Sequence, residues 1–149
     1  MFALARRPAA ALLAAGLLLL AFRTDGAAQD KAKTKENDAV KPVPRDGGWM
    51  KRHEAFVERA KKGNVDVLFV GDSITQGWEG SGKKVWAERF ASWKPMNLGI
   101  GGDRTQHVLW RITTGKELEG IDPKVVVMMI GTNNFGSNTP EQIADGVKA

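Results

Sequence analysis

Ser73 lies in the stretch GDSIT, residues 71–75, directly after a run of apolar and β-branched residues. A serine hydroxyl attacks an acyl carbon only when a base takes its proton and hydrogen-bond donors stabilise the developing negative oxygen. Two further loops offer such donors. A backbone N–H of GIGGDRT, residues 99–105, and the side-chain amide of Asn133 in GTNN, residues 131–134, could join the Ser73 N–H in an oxyanion hole. The three loops together predict acyl transfer.

Each of these loops follows a short apolar segment that is typical of a β-strand. The segments are residues 65–70, 96–98 and 125–130, and helix-like stretches, residues 84–93 and 105–114, separate them. The first and third segments are continuous apolar runs, which indicates strands buried on both faces of a parallel sheet. Alternating strands and helices predict the α/β class, and all three loops then emerge at one carboxyl edge of the sheet.

A helix is predicted before the first strand, because Trp49, Phe56 and Ala60 share one helical face and Gly63 follows. His53 lies on the same face. We expect it to pack, partly buried, beside Trp49 and Phe56 rather than to catalyse.

A last helix is predicted from Thr139, which suits an N-cap, with Pro140 at the first helical position. The sequence stops at Ala149 without a C-cap or a following strand. The chain is therefore expected to hold the front part of a larger domain.

The three loops resemble the first three signature blocks of the SGNH, or GDSL-type, hydrolase family. Residues 97–112 and 123–134 are especially similar to the catalytic subunits of brain-type platelet-activating-factor acetylhydrolases and their bacterial relatives. The resemblance implies Ser73 as nucleophile, with Gly102 and Asn133 as oxyanion donors. It also implies a flavodoxin-like three-layer α/β/α sandwich with a parallel sheet, of which three strands are present here. The implied activity is hydrolysis of small acyl esters through an acyl-enzyme, without a metal or organic cofactor.

The family's fourth block, an Asp-x-x-His that supplies the base, is absent from this sequence. His107 is the nearest substitute, but a histidine so close to a helix start is expected to cap or hydrogen-bond locally. Asp72 and Trp78 are the residues predicted beside the substrate. We expect Asp72 to bond loop backbone and shape the turn, and Trp78 to contact substrate.

Several alternatives compete with this interpretation. Ser73 could simply cap the following helix. A Rossmann fingerprint is disfavoured because Arg104 occupies the sixth position of the motif that begins at Gly99, and a Gly-x-Ser-x-Gly elbow fails because position 75 is threonine. A non-catalytic extracytoplasmic domain that binds carbohydrate or ester is the alternative from a different functional class.

The amino-terminal part of the chain predicts export. Within residues 1–28, Arg6 and Arg7 precede a 15-residue apolar run and then small residues, which together indicate a cleaved signal peptide rather than an anchor. Residues 29–48 are charged and proline-containing and predict a flexible linker to the hydrolase domain, residues 49–149. A secreted or periplasmic location follows, with no stable membrane span after signal removal.

Composition narrows the partners. The chain has no cysteine, so disulfides and thiolate metal sites are excluded. The net charge is only +5, and the sequence has no basic run interleaved with aromatic residues. Nothing in the composition therefore indicates nucleic-acid binding. The expected partner is a small ester, whether an acetylated sugar, a short acyl ester or a lysophospholipid, and an oligomer is possible.

Overall fold

The computed structural model of the protein describes residues 36–149. The predicted signal peptide and the first part of the predicted linker lie outside the described residues. Among the described residues, no helix is long and apolar enough to cross a membrane.

Three strands form one parallel sheet in the order β2-β1-β3. They are β1 Val67–Gly71, β2 Pro95–Gly99 and β3 Val125–Met129. Gly71 pairs in register with Gly99 on one side and Met129 on the other, so the three carboxyl ends are level. This order matches the first three strands of the flavodoxin-like arrangement, whose ligand crevice lies between β1 and β3. The predicted α/β class is confirmed.

Helices lie on both faces of β1. The α-helices of the described residues are α1 Gly48–Ala60, α2 Ser73–Gln76, α3 Lys83–Arg89, α4 Thr105–Ile112 and α5 Pro140–Lys148. Because side chains alternate along a strand, Leu68 and Val70 pack in the main core with residues of α1 and α4. Phe69 points to the opposite face, where its ring contacts Trp86 at 4.8 Å and Phe90 at 5.5 Å between centroids. The result is three layers around β1.

The helix boundaries differ slightly from those predicted. The helix expected over residues 84–93 is α3 followed by a 3-10 turn, Ala91–Trp93, and α4 ends two residues before the predicted Thr114. The cap predicted for the last helix is confirmed, since Thr139 Oγ1 accepts a bond from the Gln142 N–H and Gln142 Oε1 accepts one from the Thr139 N–H.

The prediction that β3 is buried on both faces is wrong. Its five side chains are 44–55% exposed. In the described part of the chain β3 pairs only with β1, and the buried residues of the main core come from α1, β1, β2, α4 and the loops beside them. An apolar run indicates that a strand can be buried. Whether it is buried depends on other elements of the fold that pack against it.

The structure also differs from the expected flexible linker over residues 36–48. Ala39 is buried within a 3-10 turn, Asp38–Val40, and its carbonyl accepts a bond from Thr105 Oγ1 at 2.8 Å. Asn138 Nδ2 donates to Asp38 Oδ1 at 2.6 Å across 100 sequence positions. Because these partners are so distant in sequence, local composition could not reveal them.

The outer edge of β2 is protected against pairing with another strand. Pro95 has no N–H, the Gly99 N–H donates to Asn97 Oδ1 at 2.8 Å, and the Gly99 carbonyl accepts from Arg52 Nε at 2.9 Å. Open backbone groups at this edge are therefore few.

Candidate active site

The first loop presents Ser73 at the carboxyl end of β1. Asp72 is the N-cap of α2, and its Oδ1 accepts the Ile74 N–H at 2.9 Å. The alternative in which Ser73 only caps the helix is therefore wrong, because its neighbour does so and Ser73 is the first helical residue. Gly71 leaves no space for a side chain, since a Cβ there would lie 2.1 Å from Thr75 Oγ1. This tight turn leaves Ser73 exposed above a buried Asp72.

The second loop forms a turn, Ile100–Asp103, which we call the oxyanion loop. The Asp103 N–H donates to the Ile100 carbonyl at 3.2 Å, and Gly102 has φ +76°, a conformation that favours glycine. The loop lies against the serine turn: a Cβ on Gly101 would be 3.7 Å from Ser73 Cβ. Gly101 also donates its N–H to Gln76 Oε1 at 2.7 Å, so α2 and the oxyanion loop are directly bonded.

The third loop ties the other two together through Asn133. Its Nδ2 donates to the Asp103 carbonyl at 2.8 Å and to Asp72 Oδ2 at 3.2 Å. The three loops predicted to meet at the carboxyl edge do meet there. Both amide hydrogens of Asn133 are engaged in this structure, and the bond to Asp72 is the longer of the two.

Asn134, the next residue, is fully buried and fixes the start of α4. Its Oδ1 accepts the Thr105 N–H at 3.0 Å, and its Nδ2 donates to Gln106 Oε1 at 3.0 Å. No role was predicted for Asn134 from the sequence. The pair of asparagines directly after a strand is the sequence feature that could have indicated this role. The Asn133 amide bonds the serine turn and the oxyanion loop, and the Asn134 amide bonds the start of α4.

His107 does what its position at a helix start predicts. Its Nδ1 accepts the Arg104 N–H at 3.0 Å and so caps α4. Burial, together with the positive charges of Arg45, Arg104 and Arg111, lowers the pKa of His107 to about 4. The ring is therefore neutral at pH 7, and because Nδ1 is an acceptor, the proton resides on Nε2. Neither ring nitrogen is left as a free base.

His53 is buried and packs as predicted beside Trp49, with ring centroids 5.8 Å apart. Its Nδ1 lies 2.7 Å from Glu117 Oε1. This hydrogen bond to Glu117 was not predicted. Because of it, Nδ1 of His53 is engaged, as Nδ1 of His107 is.

Four buried ionisable residues, which we call the buried ionisable cluster, include the last residue of the oxyanion loop, Asp103, together with His53, Arg111 and Glu117. Arg111 is fully buried and donates to Asp103 Oδ2 at 3.0 Å and to Glu117 Oε2 at 2.5 Å. It also donates to the Leu98 carbonyl near the end of β2. Burial raises the pKa of both carboxyls, and the charge of Arg111 opposes that rise. The cluster was not predicted, because in the sequence Arg111 is only a charged residue within a helix-like stretch.

Comparison with known proteins shows the family of this chain. Residues 69–147, which include all three loops, match the model of the GDSL-like Lipase/Acylhydrolase family. The chain belongs to this family.

Similar proteins include two subunits of platelet-activating factor acetylhydrolase IB. Subunit alpha1 of Homo sapiens is 47% identical over 120 residues, which are 77% of this chain and 50% of the relative. Subunit alpha2 of Rattus norvegicus is 46% identical over 111 residues, 74% of this chain and 47% of the relative. A solved structure of a platelet activating factor protein from Streptococcus pneumonia is 20% identical, with a TM-score of 0.47, and covers 66% of this chain and 46% of its own. This GDSL-like chain spans about half the length of the curated relatives it matches.

The two residues predicted beside the substrate differ in placement. Asp72 is 1% exposed and both carboxylate oxygens accept bonds from the protein, so it shapes the turn and does not face substrate. Trp78 lies in a 3-10 turn after α2 and contacts Trp86 and Phe90. It lines an open cavity of about 550 Å³ beside Met96 and Asn97 of β2. Its contact with substrate stays a prediction.

Proposed function

We propose that Ser73 is the nucleophile of an ester hydrolase that acts on small acyl groups. The observation that carries the proposal is the Asn133 amide, which joins the serine turn to the oxyanion loop beside an exposed serine. Membership of the GDSL-like family and the acetylhydrolase names of the relatives give further support.

In the proposed reaction the Ser73 Oγ attacks the ester carbonyl carbon and loses its proton to a base. The carbonyl oxygen becomes negative and accepts bonds from the N–H groups of Ser73 and Gly102 and from the Asn133 amide. For this, Asn133 exchanges its longer bond, the one to Asp72, for the oxyanion. The C–O bond to the alcohol then breaks, the alcohol leaves with a proton returned by the base, and water hydrolyses the acyl-enzyme.

The base is not one of the two histidines of this chain. His107 has its Nδ1 lone pair engaged by Arg104, and His53 is buried against Glu117. We therefore propose that the base comes from a segment outside these 149 residues, as an Asp-x-x-His. Loss of the histidine in a serine hydrolase costs on the order of a millionfold in turnover. The 149-residue chain alone is then expected to be nearly inactive.

The test is hydrolysis of p-nitrophenyl acetate by this chain and by a version extended to the natural end of its gene. Each is measured beside its Ser73→Ala variant. The expected result is Ser73-dependent turnover in the extended version alone. Ser73-dependent turnover by the short chain would contradict the proposed source of the base, and no Ser73-dependent turnover in either would contradict the hydrolase.

The engaged histidines also favour a second candidate, a non-catalytic domain that binds carbohydrate or ester. This candidate predicts that an acetylated oligosaccharide binds both versions, measured by calorimetry, while neither cleaves it. Binding by the extended version together with Ser73-dependent cleavage would exclude it.

We further propose that the protein is exported and that residues 1–28 are removed. Amino-terminal sequencing of the protein recovered from the extracytoplasmic fraction of its host tests this. A protein that keeps Met1 and stays inside the cell would refute export.

A further inference from the structure

Arg45 bonds two residues of the oxyanion loop and lies beside the residue between them. Its Nη1 donates to the Gly101 carbonyl at 3.0 Å and to Asp103 Oδ1 at 3.1 Å. A Cβ placed on Gly102 would lie 3.4 Å from the same nitrogen. The side chain is about one third exposed, and it belongs to the segment for which the sequence predicted only a linker.

The contact matters because of how the turn is built. Ile100–Asp103 has the hydrogen bond and the positive φ at its third residue that define a type II turn. Its central peptide unit joins the Gly101 carbonyl to the Gly102 N–H, and in a planar trans peptide these two groups point in opposite directions. Fixing the carbonyl therefore fixes the direction of the N–H.

Sterics alone do not fix this peptide. Both central residues are glycine, so the peptide can rotate toward the type I arrangement without a Cβ clash. That rotation would reverse the direction of the Gly102 N–H. A hydrogen bond to the Gly101 carbonyl is needed to favour one orientation.

We infer that Arg45 is a positioning residue that aims the Gly102 N–H at the oxyanion, an inference that rests on the proposed hydrolase function. Arg45 holds the peptide unit after Gly101, and Gln76 holds the one before it by accepting the Gly101 N–H at 2.7 Å. Gln76 is in the same helix as Ser73. The two bonds thus set the oxyanion donor relative to the nucleophile.

Arg45 is itself held firmly. Its partner Asp103 is fully buried, and the Asp103 carboxylate also accepts bonds from Trp49 Nε1 at 2.6 Å and from Arg111 Nε at 3.0 Å. A charge-assisted bond to the anchored Asp103 carboxylate keeps the guanidinium in place. The second hydrogen of Nη1 then donates to the Gly101 carbonyl. Such second-layer support is what a preorganised oxyanion donor requires.

Arg45→Met removes the donors and keeps an apolar stem of similar length. Arg52→Met is the matched control, because Arg52 also donates to a glycine carbonyl, that of Gly99, and pairs with a carboxylate, Glu79. The Gly99 carbonyl shares its peptide unit with the Ile100 N–H, which bonds to the Gly71 carbonyl and is no oxyanion donor. Arg45→Lys tests rescue by a side chain that keeps a charged donor.

Two measurements are made. In the version that turns over p-nitrophenyl acetate, Arg45→Met is expected to lower kcat by about 10- to 100-fold with KM little changed, since losing an oxyanion donor altogether costs about 100- to 1,000-fold. Arg52→Met should leave kcat nearly unchanged, and Arg45→Lys should recover most of it. In the ¹⁵N-labelled 149-residue chain, the Gly102 amide resonance should shift or broaden in Arg45→Met alone.

A kcat for Arg45→Met that equals that of Arg52→Met, with an unchanged Gly102 resonance, would overturn the inference. So would an Arg45→Lys variant that restores kcat but leaves the Gly102 resonance displaced, because charge alone would then be at work. If no version shows Ser73-dependent turnover, the hydrolase proposal fails. The Gly102 resonance then decides by itself whether Arg45 orients the peptide.

Discussion

Replacing Arg111 with methionine should destabilise the fold strongly and in a pH-dependent way. Arg111 is fully buried and donates to Asp103 and Glu117, which are fully buried as well. Its removal leaves two buried carboxylates without their main counter-charge. Removing one partner of a buried ion pair costs about 3–5 kcal/mol. A small domain has a total stability of roughly 5–15 kcal/mol, so the loss is a large part of it.

The pH dependence follows from the two carboxyls. Burial already raises the pKa of Asp103 and Glu117 in the wild type, and Arg111 limits that rise. A carboxyl whose pKa is raised in the folded state contributes stability below its unfolded pKa and loses it as pH rises through the folded pKa. Without Arg111 the folded pKa values rise further. The destabilisation relative to wild type is therefore largest near pH 8 and shrinks on acidification toward pH 5.

Thermal unfolding followed by tryptophan fluorescence measures this, since the chain has five tryptophans. A loss of about 4 kcal/mol corresponds to a midpoint lower by roughly 15–25 °C. Lys61→Met is the control, because Lys61 pairs with Glu58 at the surface and surface pairs contribute little. A midpoint for Arg111→Met that falls by only a few degrees at pH 8, or by the same amount at pH 5, would refute the reasoning.

Three further changes give separate outcomes. Asn133→Ala should lower kcat by about 100- to 1,000-fold in the version that turns over ester, and a loss below tenfold would argue against an oxyanion role. His107→Gln keeps an acceptor for the Arg104 N–H and should leave turnover unchanged; a large loss would return His107 to the list of candidate bases. We expect the exposed β3 to promote self-association of the 149-residue chain, and Val127→Lys should weaken it in sedimentation velocity, because Val127 lies on β3 and a charge there opposes strand pairing. Val43→Lys, equally exposed but outside the sheet, is the control, and equal effects of both variants would exclude β3 as the contact.

Local pattern was enough to predict how the three loops meet. Each loop follows an apolar run, and parallel strands bring their carboxyl ends to one edge, so the approach of Asn133 to the serine turn was expected from the predicted parallel sheet. The cap at Thr139 and the helix-start role of His107 were predictable for the same reason, because a capping residue and its partner lie within a few positions of each other.

The residues that were missed act over long sequence separations. Arg45 reaches Asp103 across 58 positions, and His53 reaches Glu117 across 64. A charged residue in a polar segment or on a helix is expected to be exposed to solvent, because burying a charge is costly unless it is paired. The distant partner that offsets this cost cannot be recognised from the local sequence. The exposure of β3 was misjudged for the opposite reason: its apolar residues predict burial, but no described element covers them.

Asp103 connects the oxyanion loop to the core, and this explains why Arg45 is the residue that separates positioning from folding. The Asp103 carbonyl accepts the Asn133 amide, while its carboxylate accepts bonds from Trp49 and Arg111 in the interior. Any substitution at Asp103 therefore disturbs loop and core together. Arg45 reaches the same loop from the surface, and when it is removed Asp103 keeps both interior donors. A loss of kcat without a comparable loss of stability is thus expected for Arg45→Met and not for variants of Asp103.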